Sequence, residues 1–408
     1  FRRQWGRISV MRTTGRFSAI RYRDFQLFWA GQVVSFSGTW MQSTAQGWLV
    51  YSLTKSPFDL GIVYMAASLP ILLFSLLGGA AADRFPKRNL LLFTQSISIV
   101  PALLIGVLTS LGVVTVWHVV VLACLLGTVN AVDIPTRQSF LIEMVEKPNL
   151  LSAIALNSAA FNGARMIGPV LAGIIITSLG VAACFYLNAA SFLAVVLALA
   201  LVRTPGLRSA GTGNLLRDIA QGVGFIRTEP GVRRPILLVA AFSLFGLPFI
   251  SQLPVFAEDI LGKGAQGLGF LTGASGAGAL VAALTLAFKG DIREKDRFMG
   301  LASIVLPATL VAFSLSRSYP LSLGLMVAIG LLVVAFLAAA NSAVQLRTPD
   351  GIRGRVMSVY TLVFLGMAPA GYLLVGSVAG ALGSARAITL SASLCLMISI
   401  TIVARTRQ

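Results

Sequence analysis

Apolar runs of about 20 residues recur from one end of this chain to the other, and that is the length a helix needs to cross the hydrocarbon core of a bilayer. Twelve can be placed, near 25–51, 59–82, 89–110, 116–136, 150–178, 182–202, 235–257, 267–288, 298–316, 320–346, 355–382 and 385–404. Lipid offers no partner to backbone N–H and C=O groups, so runs of this kind must be α-helical. Composition agrees, since only 11% of the 408 residues are charged and 56% are hydrophobic. The expected fold class is an all-α membrane protein with twelve transmembrane helices in two six-helix bundles. The only long break, 203–234, is rich in Gly and Arg and too polar to span. It divides the chain into a tail (1–24), a first bundle (25–202), a central loop (203–234), a second bundle (235–404) and a short tail (405–408).

The net charge of +18 is informative through its placement. Of the 32 Lys and Arg residues, 27 fall in segments that alternate spans assign to one side, among them Arg84, Lys87 and Arg88 after span 2 and Arg203 to Arg234 in the central loop. The other side has only Lys55, Lys263, Arg317 and Arg386. The positive-inside rule then puts both termini and the central loop in the cytoplasm of a bacterial inner (plasma) membrane protein. The basic excess thus reports topology and contact with anionic membrane lipids, with no nucleic acid partner. Residues 1–10 are basic without an apolar centre, so no cleavable signal peptide is expected there. Cys124, Cys184 and Cys395 lie in separate spans and read as small buried apolar residues. His118 is the sole histidine, which leaves no metal or triad constellation. Gly276 and Gly278 sit in an apolar run and are packing glycines, not a phosphate loop. The chain is therefore not expected to be an enzyme or to hold a cofactor.

The two halves match weakly but consistently. At an offset of 208, Leu60-Gly61 aligns with Leu268-Gly269, Asp83 with Asp291 and Lys87 with Lys295. At an offset of 203, Gly163, Gly168, Gly173 and Gly180 align with Gly366, Gly371, Gly376 and Gly383. Four glycines at one offset, with a charged pair at the other, mark an internal repeat.

Polar residues inside the spans are the candidate site. Gln32, Ser35, Thr39, Gln42 and Gln46 recur at steps of three and four and form one stripe on span 1, flanked by Trp40. They must face either a watered cavity or another helix, and the cavity is favoured because intramembrane polar groups tend to mark substrate paths. Asp133 and Arg137 on span 4 share a face at i, i+4 and read as an ion pair, either a gate that breaks or a static pair. Arg165 is the one basic residue deep in a span, with Asp133 or an anionic substrate group as its expected partner. It precedes Gly168-Pro169, where the helix should bend. Span 7 is interrupted by Gly246, Pro248 and Pro254 and is expected to flex as an outer gate. Glu258 and Asp259 at its end read mainly as solvated loop residues.

Between spans 2 and 3 the chain reads Gly79-Ala80-Ala81-Ala82-Asp83-Arg84-Phe85-Pro86-Lys87-Arg88. This G-x-x-x-D-R-x-P-K-R pattern resembles the loop 2–3 signature of the major facilitator superfamily of secondary transporters, with Pro86 where that family usually carries Gly. Gly168-Pro169 with Gly173 resembles the family's antiporter motif in span 5, with Gly173 one residue late. The runs Phe28-Trp29-Ala30-Gly31-Gln32, Gly38-Thr39-Trp40-Met41-Gln42 and Asp133 to Gln138 resemble one branch, the twelve-span exporters related to enterobactin and macrolide efflux proteins.

The resemblance implies two bundles rocking about a central site. It further implies export of an amphipathic small molecule, a drug or a siderophore, by antiport with protons, performed by a monomer. Gly79, Asp83, Arg84, Lys87, Arg88, Asp133, Arg137, Gly168 and Pro169 would serve gating. Asp83 would accept hydrogen bonds from the N-terminal end of a neighbouring helix, and the charged turn would stabilise the outward-open state. Gln32, Ser35, Thr39, Trp40, Gln42, Gln46 and Arg165 would line the cavity. Asp133 is the leading proton-coupling carboxyl, with Glu258 and Asp259 behind it. Nutrient uptake, lipid flipping and a non-transporting receptor remain as alternatives.

Overall fold

In the computed structural model, residues 18–204, 215–289 and 295–405 are described, and no strand occurs among them. The first half comprises α1 (Arg23–Thr54), α2 (Pro57–Arg84), α3 (Lys87–Ser110), α4 (Val116–Glu143), α5 (Leu150–Leu179) and α6 (Val181–Leu201). A shorter helix, α7 (Leu215–Thr228), leads into α8 (Pro230–Ile260), α9 (Gly264–Lys289), α10 (Lys295–Leu315), α11 (Tyr319–Arg347), α12 (Asp350–Leu382) and α13 (Ser384–Ala404). Eleven of the described helices are long and apolar enough to cross a membrane by length and composition. The twelfth is α1, 32 residues long, whose polar stripe dilutes its apolar character. The chain is an all-helical, multi-span membrane protein.

Helix ends follow from local chemistry. α1 stops at Lys55, which takes a left-handed φ of 51°, and Ser56 caps α2 by accepting from the Asp59 N–H at 3.2 Å. Pro86 ends α2, because the residue before a proline is pushed to extended backbone, as Phe85 is at φ −104° and ψ 153°. Gly180 and Gly383, matched in the repeat, are each the single residue between two spans, with φ of 85° and 87°. A side chain would strain either position.

α8 is a composite. Pro248 and Pro254 withhold backbone donors, and the helix relaxes into π turns at Phe242–Gly246 and Phe256–Ile260 around a 3-10 stretch, Leu247–Gln252. The interruption expected in span 7 is therefore present in the backbone itself.

Within the first half, α1 packs on α5 and α6, α2 on α4, and α3 on α4 and α6. The second half repeats the pattern, with α9 on α11, α10 on α11 and α13, and α12 on α13. One large apolar cluster fills the second half, with Phe256 stacked on Phe313 at 4.9 Å. In the first half, separate clusters lie at the two ends, one around Phe25, Phe28, Phe140 and Leu199, the other around Leu49, Leu60, Ile105 and Phe185.

Several expectations are corrected here. The 203–234 connection contains α7, whose Ile219, Val223 and Ile226 pack into the second-half core at helical spacing. Asp218 of α7 pairs with Arg355 of α12 at 2.7 Å. The segment Gly79 to Arg84 is the last turns of α2 rather than a loop, because nothing before Pro86 stops the helix. α4 extends beyond the end expected near 136, past Pro135 to Glu143, which keeps Asp133 and Arg137 on one helix as their spacing implies. Cys124 is exposed at the helix surface, whereas Cys184 and Cys395 are buried. Asp291, the repeat partner of Asp83, lies outside the described residues.

Candidate functional site

Two crossings join the halves. Where α2 meets α12, Gly61 faces Gly376, and a Cβ on Gly61 would lie 2.6 Å from the Tyr372 carbonyl oxygen and 2.9 Å from the Gly376 Cα. Where α5 meets α9, Gly173 faces Gly269, and a Cβ on Gly269 would lie 2.5 Å from the Pro169 oxygen and 3.0 Å from the Gly173 Cα. These are the repeat glycines, and each crossing takes one member of each matched pair. Gly168 approaches the Ser37 oxygen of α1, and its counterpart Gly371 approaches the Leu244 oxygen of α8. The internal repeat is thus expressed as a pseudo-two-fold set of backbone-to-backbone contacts.

Both crossings lie toward the end of the spans remote from the termini. At that end Gln252 Nε2 also donates to the Pro57 oxygen at 3.2 Å, Lys55 pairs with Glu258 at 3.4 Å, and the Tyr51 hydroxyl donates to Asp259. Glu258 and Asp259 are therefore partners of α1, not merely solvated loop residues. The Lys55 and Glu258 side chains remain 55% and 35% exposed. Lys55→Ala is accordingly expected to cost only about 0.2–1 kcal/mol in thermal unfolding, with a larger loss pointing to a tighter seal than an exposed pair provides. The contacts that described glycines make between the halves lie in the middle of the spans and toward this remote end, among them Gly276 with Arg165 and Gly366 with Leu72. Gly79, Gly163, Gly351 and Gly354, on the terminus-bearing side, meet nothing within 4 Å of a built Cβ.

Asp133 is 1% exposed and is the centre of a three-helix polar network. Its Oδ1 accepts from Thr94 Oγ1 and Gln95 Nε2 of α3, both at 2.8 Å, and its Oδ2 accepts from Arg137 at 2.5 Å. Arg137 also donates to Gln32 Oε1 of α1 at 3.1 Å, and its guanidinium lies 4.9 Å from the Phe36 ring centroid. Gln32 Nε2 and Gln95 Oε1 are buried beside this pair without a hydrogen-bond partner. The network is therefore only partly satisfied, which lowers the cost of rearranging it.

The polar stripe of α1 divides. Gln32 and Gln42 turn between helices, Gln32 toward Arg137 and Gln42 accepting from Asn188 Nδ2 of α6 at 2.7 Å. Gly38 makes room for that contact, since a Cβ there would strike Ser191 and Asn188. Ser35 is buried, and Thr39, Trp40 and Gln46 are half-buried. Arg165 sits where α5 leaves α9: its carbonyl oxygen would lie 2.5 Å from a Cβ on Gly276. Its guanidinium lies 5.6 Å from the Trp40 ring centroid, and Nη2 is 3.5 Å from Ser275 Oγ of the other half. Asp133 is not its partner; that carboxylate is taken by Arg137, Thr94 and Gln95.

The charged segment after α2 is anchored in its own half. Lys87, 4% exposed, pairs with Glu143 of α4 at 2.6 Å. Arg88 donates to the Leu199 and Ala200 oxygens at 2.8 and 3.0 Å, closing the C-terminal end of α6 where a cation is favoured. Arg84 is exposed. Asp83 carries no hydrogen bond or ion pair among the described residues, so the expected contact with a neighbouring helix is not made in this state. Glu143 and Ser275 are not legible in the sequence, because each acts through a partner on a distant helix; Asn188, which with Ala189 also shares in the resemblance to the exporter branch, has a partner in Gln42 that only the packing shows.

Comparison with known proteins follows the geometry. Residues 14–408 match the family described as "Transmembrane secretion effector". The multidrug efflux pump Tap of Mycolicibacterium fortuitum is 27% identical over 357 residues, 85% of this chain and 87% of that protein. The staphyloferrin A transporter of Staphylococcus aureus is 32% identical over 168 residues, 39% of this chain and 42% of that protein. Among solved structures, an inward-facing, occupied bacterial homolog of the human lysosomal transporter Spinster superposes with a TM-score of 0.75 at 12% identity, covering 95% of this chain and 97% of that one. The nucleoside transporter NupG superposes at 0.71 and 15% identity, covering 94% and 99%.

Proposed function

This chain belongs to the transmembrane secretion effector family of the major facilitator superfamily, and we propose that it is a secondary transporter exporting an amphipathic small molecule by alternating access, driven by proton entry. The observation that supports this reading is the pair of symmetric glycine crossings that join the halves at the end remote from the basic segments. By the positive-inside rule the end bearing the basic segments is cytoplasmic, in an inner membrane, and we read this state as closed to the outside and poised to load cargo from the cell. Similarity to an efflux pump over most of the chain supports the outward direction. The fold accommodates transport by a single chain.

In this mechanism α2 and α12 pivot at Gly61 and Gly376 while α5 and α9 pivot at Gly173 and Gly269. Closing the cytoplasmic end brings the last turn of α2 toward the first turn of α12, where Gly351 and Gly354 now stand open. Asp83 then reaches the free N–H groups of that helix start, where a carboxylate is favoured. Asp83→Asn is therefore expected to lower transport at least tenfold while leaving the melting temperature of this state unchanged, since the side chain makes no hydrogen bond or ion pair among the described residues. Wild-type turnover in that variant would sink the assignment.

Proton entry acts on the Asp133 network. A protonated Asp133 no longer holds Arg137, which already rests on Gln32 and the Phe36 ring and can transfer its donors there. The direct test is dye accumulation in inside-out vesicles with and without an acidic interior. Accumulation that needs the gradient and collapses with a protonophore is expected. Uptake confined to right-side-out vesicles would make the chain an importer.

A further inference from the structure

Arg165 carries a charge in the middle of α5 that no ion pair balances among the described residues. On α5 the close approaches to the glycines of α9 run from Gly173 through Pro169 and Met166 to Arg165, and a Cβ built on Gly163 meets nothing within 4 Å. Arg165 thus stands at the inner apex of the seam between the halves, half-buried. Three elements meet at its guanidinium: α5 itself, Trp40 of α1, and Ser275 of α9 from the other half. The Trp40 ring is in turn packed against Phe161 at 5.8 Å, giving the apex an aromatic wall.

A guanidinium has five donors, and among the described residues the only hydrogen bond it makes is the 3.5 Å one to Ser275. No described carboxylate balances it. Asp133 belongs to Arg137, and the other described acidic residues lie near helix ends or in connections. Asp59 is in the first turn of α2, Glu258 and Asp259 are at the sealed mouth, and Asp24, Asp83, Glu143, Glu146, Asp218, Glu229, Asp296 and Asp350 are at the basic end. An unpaired cation at this depth repels a cationic cargo and attracts an anionic one. A planar fork beside an indole also matches a carboxylate or sulfonate carried on an aromatic body.

We propose that the transported molecule is an organic anion, whose acidic group docks on Arg165 and Ser275 while its apolar part lies against Trp40 and Phe161. The proposal rests on the export reading and narrows it: cationic amphipaths are excluded as preferred cargo. Because Arg165 belongs to one half and Ser275 to the other, the anion bridges the two across the seam.

The test uses the full chain in nanodiscs and three fluorescent probes: 1-anilinonaphthalene-8-sulfonate, the neutral N-phenyl-1-naphthylamine, and cationic rhodamine 6G. The wild type is expected to bind the sulfonate at least tenfold more tightly than the neutral probe. Arg165→Gln should remove that preference while shifting the neutral probe less than twofold, and Arg165→Lys should keep part of it. If Arg165→Gln does not insert, Ser275→Ala provides the second reading, with a two- to fivefold loss confined to the sulfonate. Unchanged sulfonate affinity in the variants, or a wild-type preference for rhodamine, would overturn the proposal. Binding requires no turnover, so intact anion binding without gradient-driven accumulation would fail the export reading and leave the anion site standing.

Discussion

Asp133→Ala is expected to destabilise the protein by about 3–5 kcal/mol, because it strands the Arg137 guanidinium in a site from which Asp133 itself is 99% excluded from solvent. Three donors lose their common acceptor at once. Thr94 Oγ1 and Gln95 Nε2 lose an acceptor, Arg137 loses its counter-ion, and of the polar links between α3 and α4 described above only Lys87–Glu143 is left. The charge is the dominant part. Asp133→Ala combined with Arg137→Ala should therefore recover most of the stability, since it removes the stranded cation along with its partner. Thermal unfolding in detergent separates the two outcomes. If the double variant melts as low as the single one, the hydrogen bonds to Thr94 and Gln95 carry the stability and the ion pair does not. Transport should not follow stability: the double variant should pass cargo downhill yet fail to accumulate it against a gradient. Accumulation by that variant would remove Asp133 as the coupling carboxyl.

The second large effect is expected at the crossings. A Cβ on Gly61 falls 2.6 Å from a carbonyl oxygen and 2.9 Å from a Cα, both backbone atoms that cannot rotate away. Gly61→Val should therefore hold α2 off α12 and keep the outer end ajar, with transport lost by more than tenfold. Gly173→Val should behave alike at the matched crossing, where the nearest atoms are again backbone. Gln252, fully buried at the sealed end, offers the readout. As Gln252→Cys in a background without Cys124, Cys184 and Cys395, it should resist a membrane-impermeant maleimide from the outer side. Adding Gly61→Val should open it to labelling. Continued protection, with transport intact, would show that the crossing yields.

What the sequence discloses here is what repeats or what is local. The twelve spans follow from apolar length, and the glycines at offsets of 203 and 208 mark the repeat; that four of them form the crossings is seen only in the packing. Asp133 and Arg137 are legible because four residues of helix bring them together. Lys87 with Glu143 is not legible, since 56 residues separate them and only the packing of α3 on α4 makes them neighbours. Gln42 with Asn188 is hidden for the same reason, and so a stripe read as cavity lining proves to include interhelical contacts. Asp83 differs again: the contact expected with a neighbouring helix is not made among the described residues, and on the proposed mechanism it forms only in the other access state. α7 was passed over because its glycines and arginines masked the spacing of Ile219, Val223 and Ile226.

The crossings have a consequence for how such a chain can change. They are made by main chain against main chain, so the pivot needs only the absence of side chains at Gly61, Gly173, Gly269 and Gly376. The residues proposed to meet the cargo, such as Trp40, Thr39 and Arg165, lie on other positions of the same or neighbouring helices. On the proposed mechanism, hinge and cargo pocket are thus written in separate letters, and a new cargo can be accommodated by substitution at the pocket without retuning the machine that moves it.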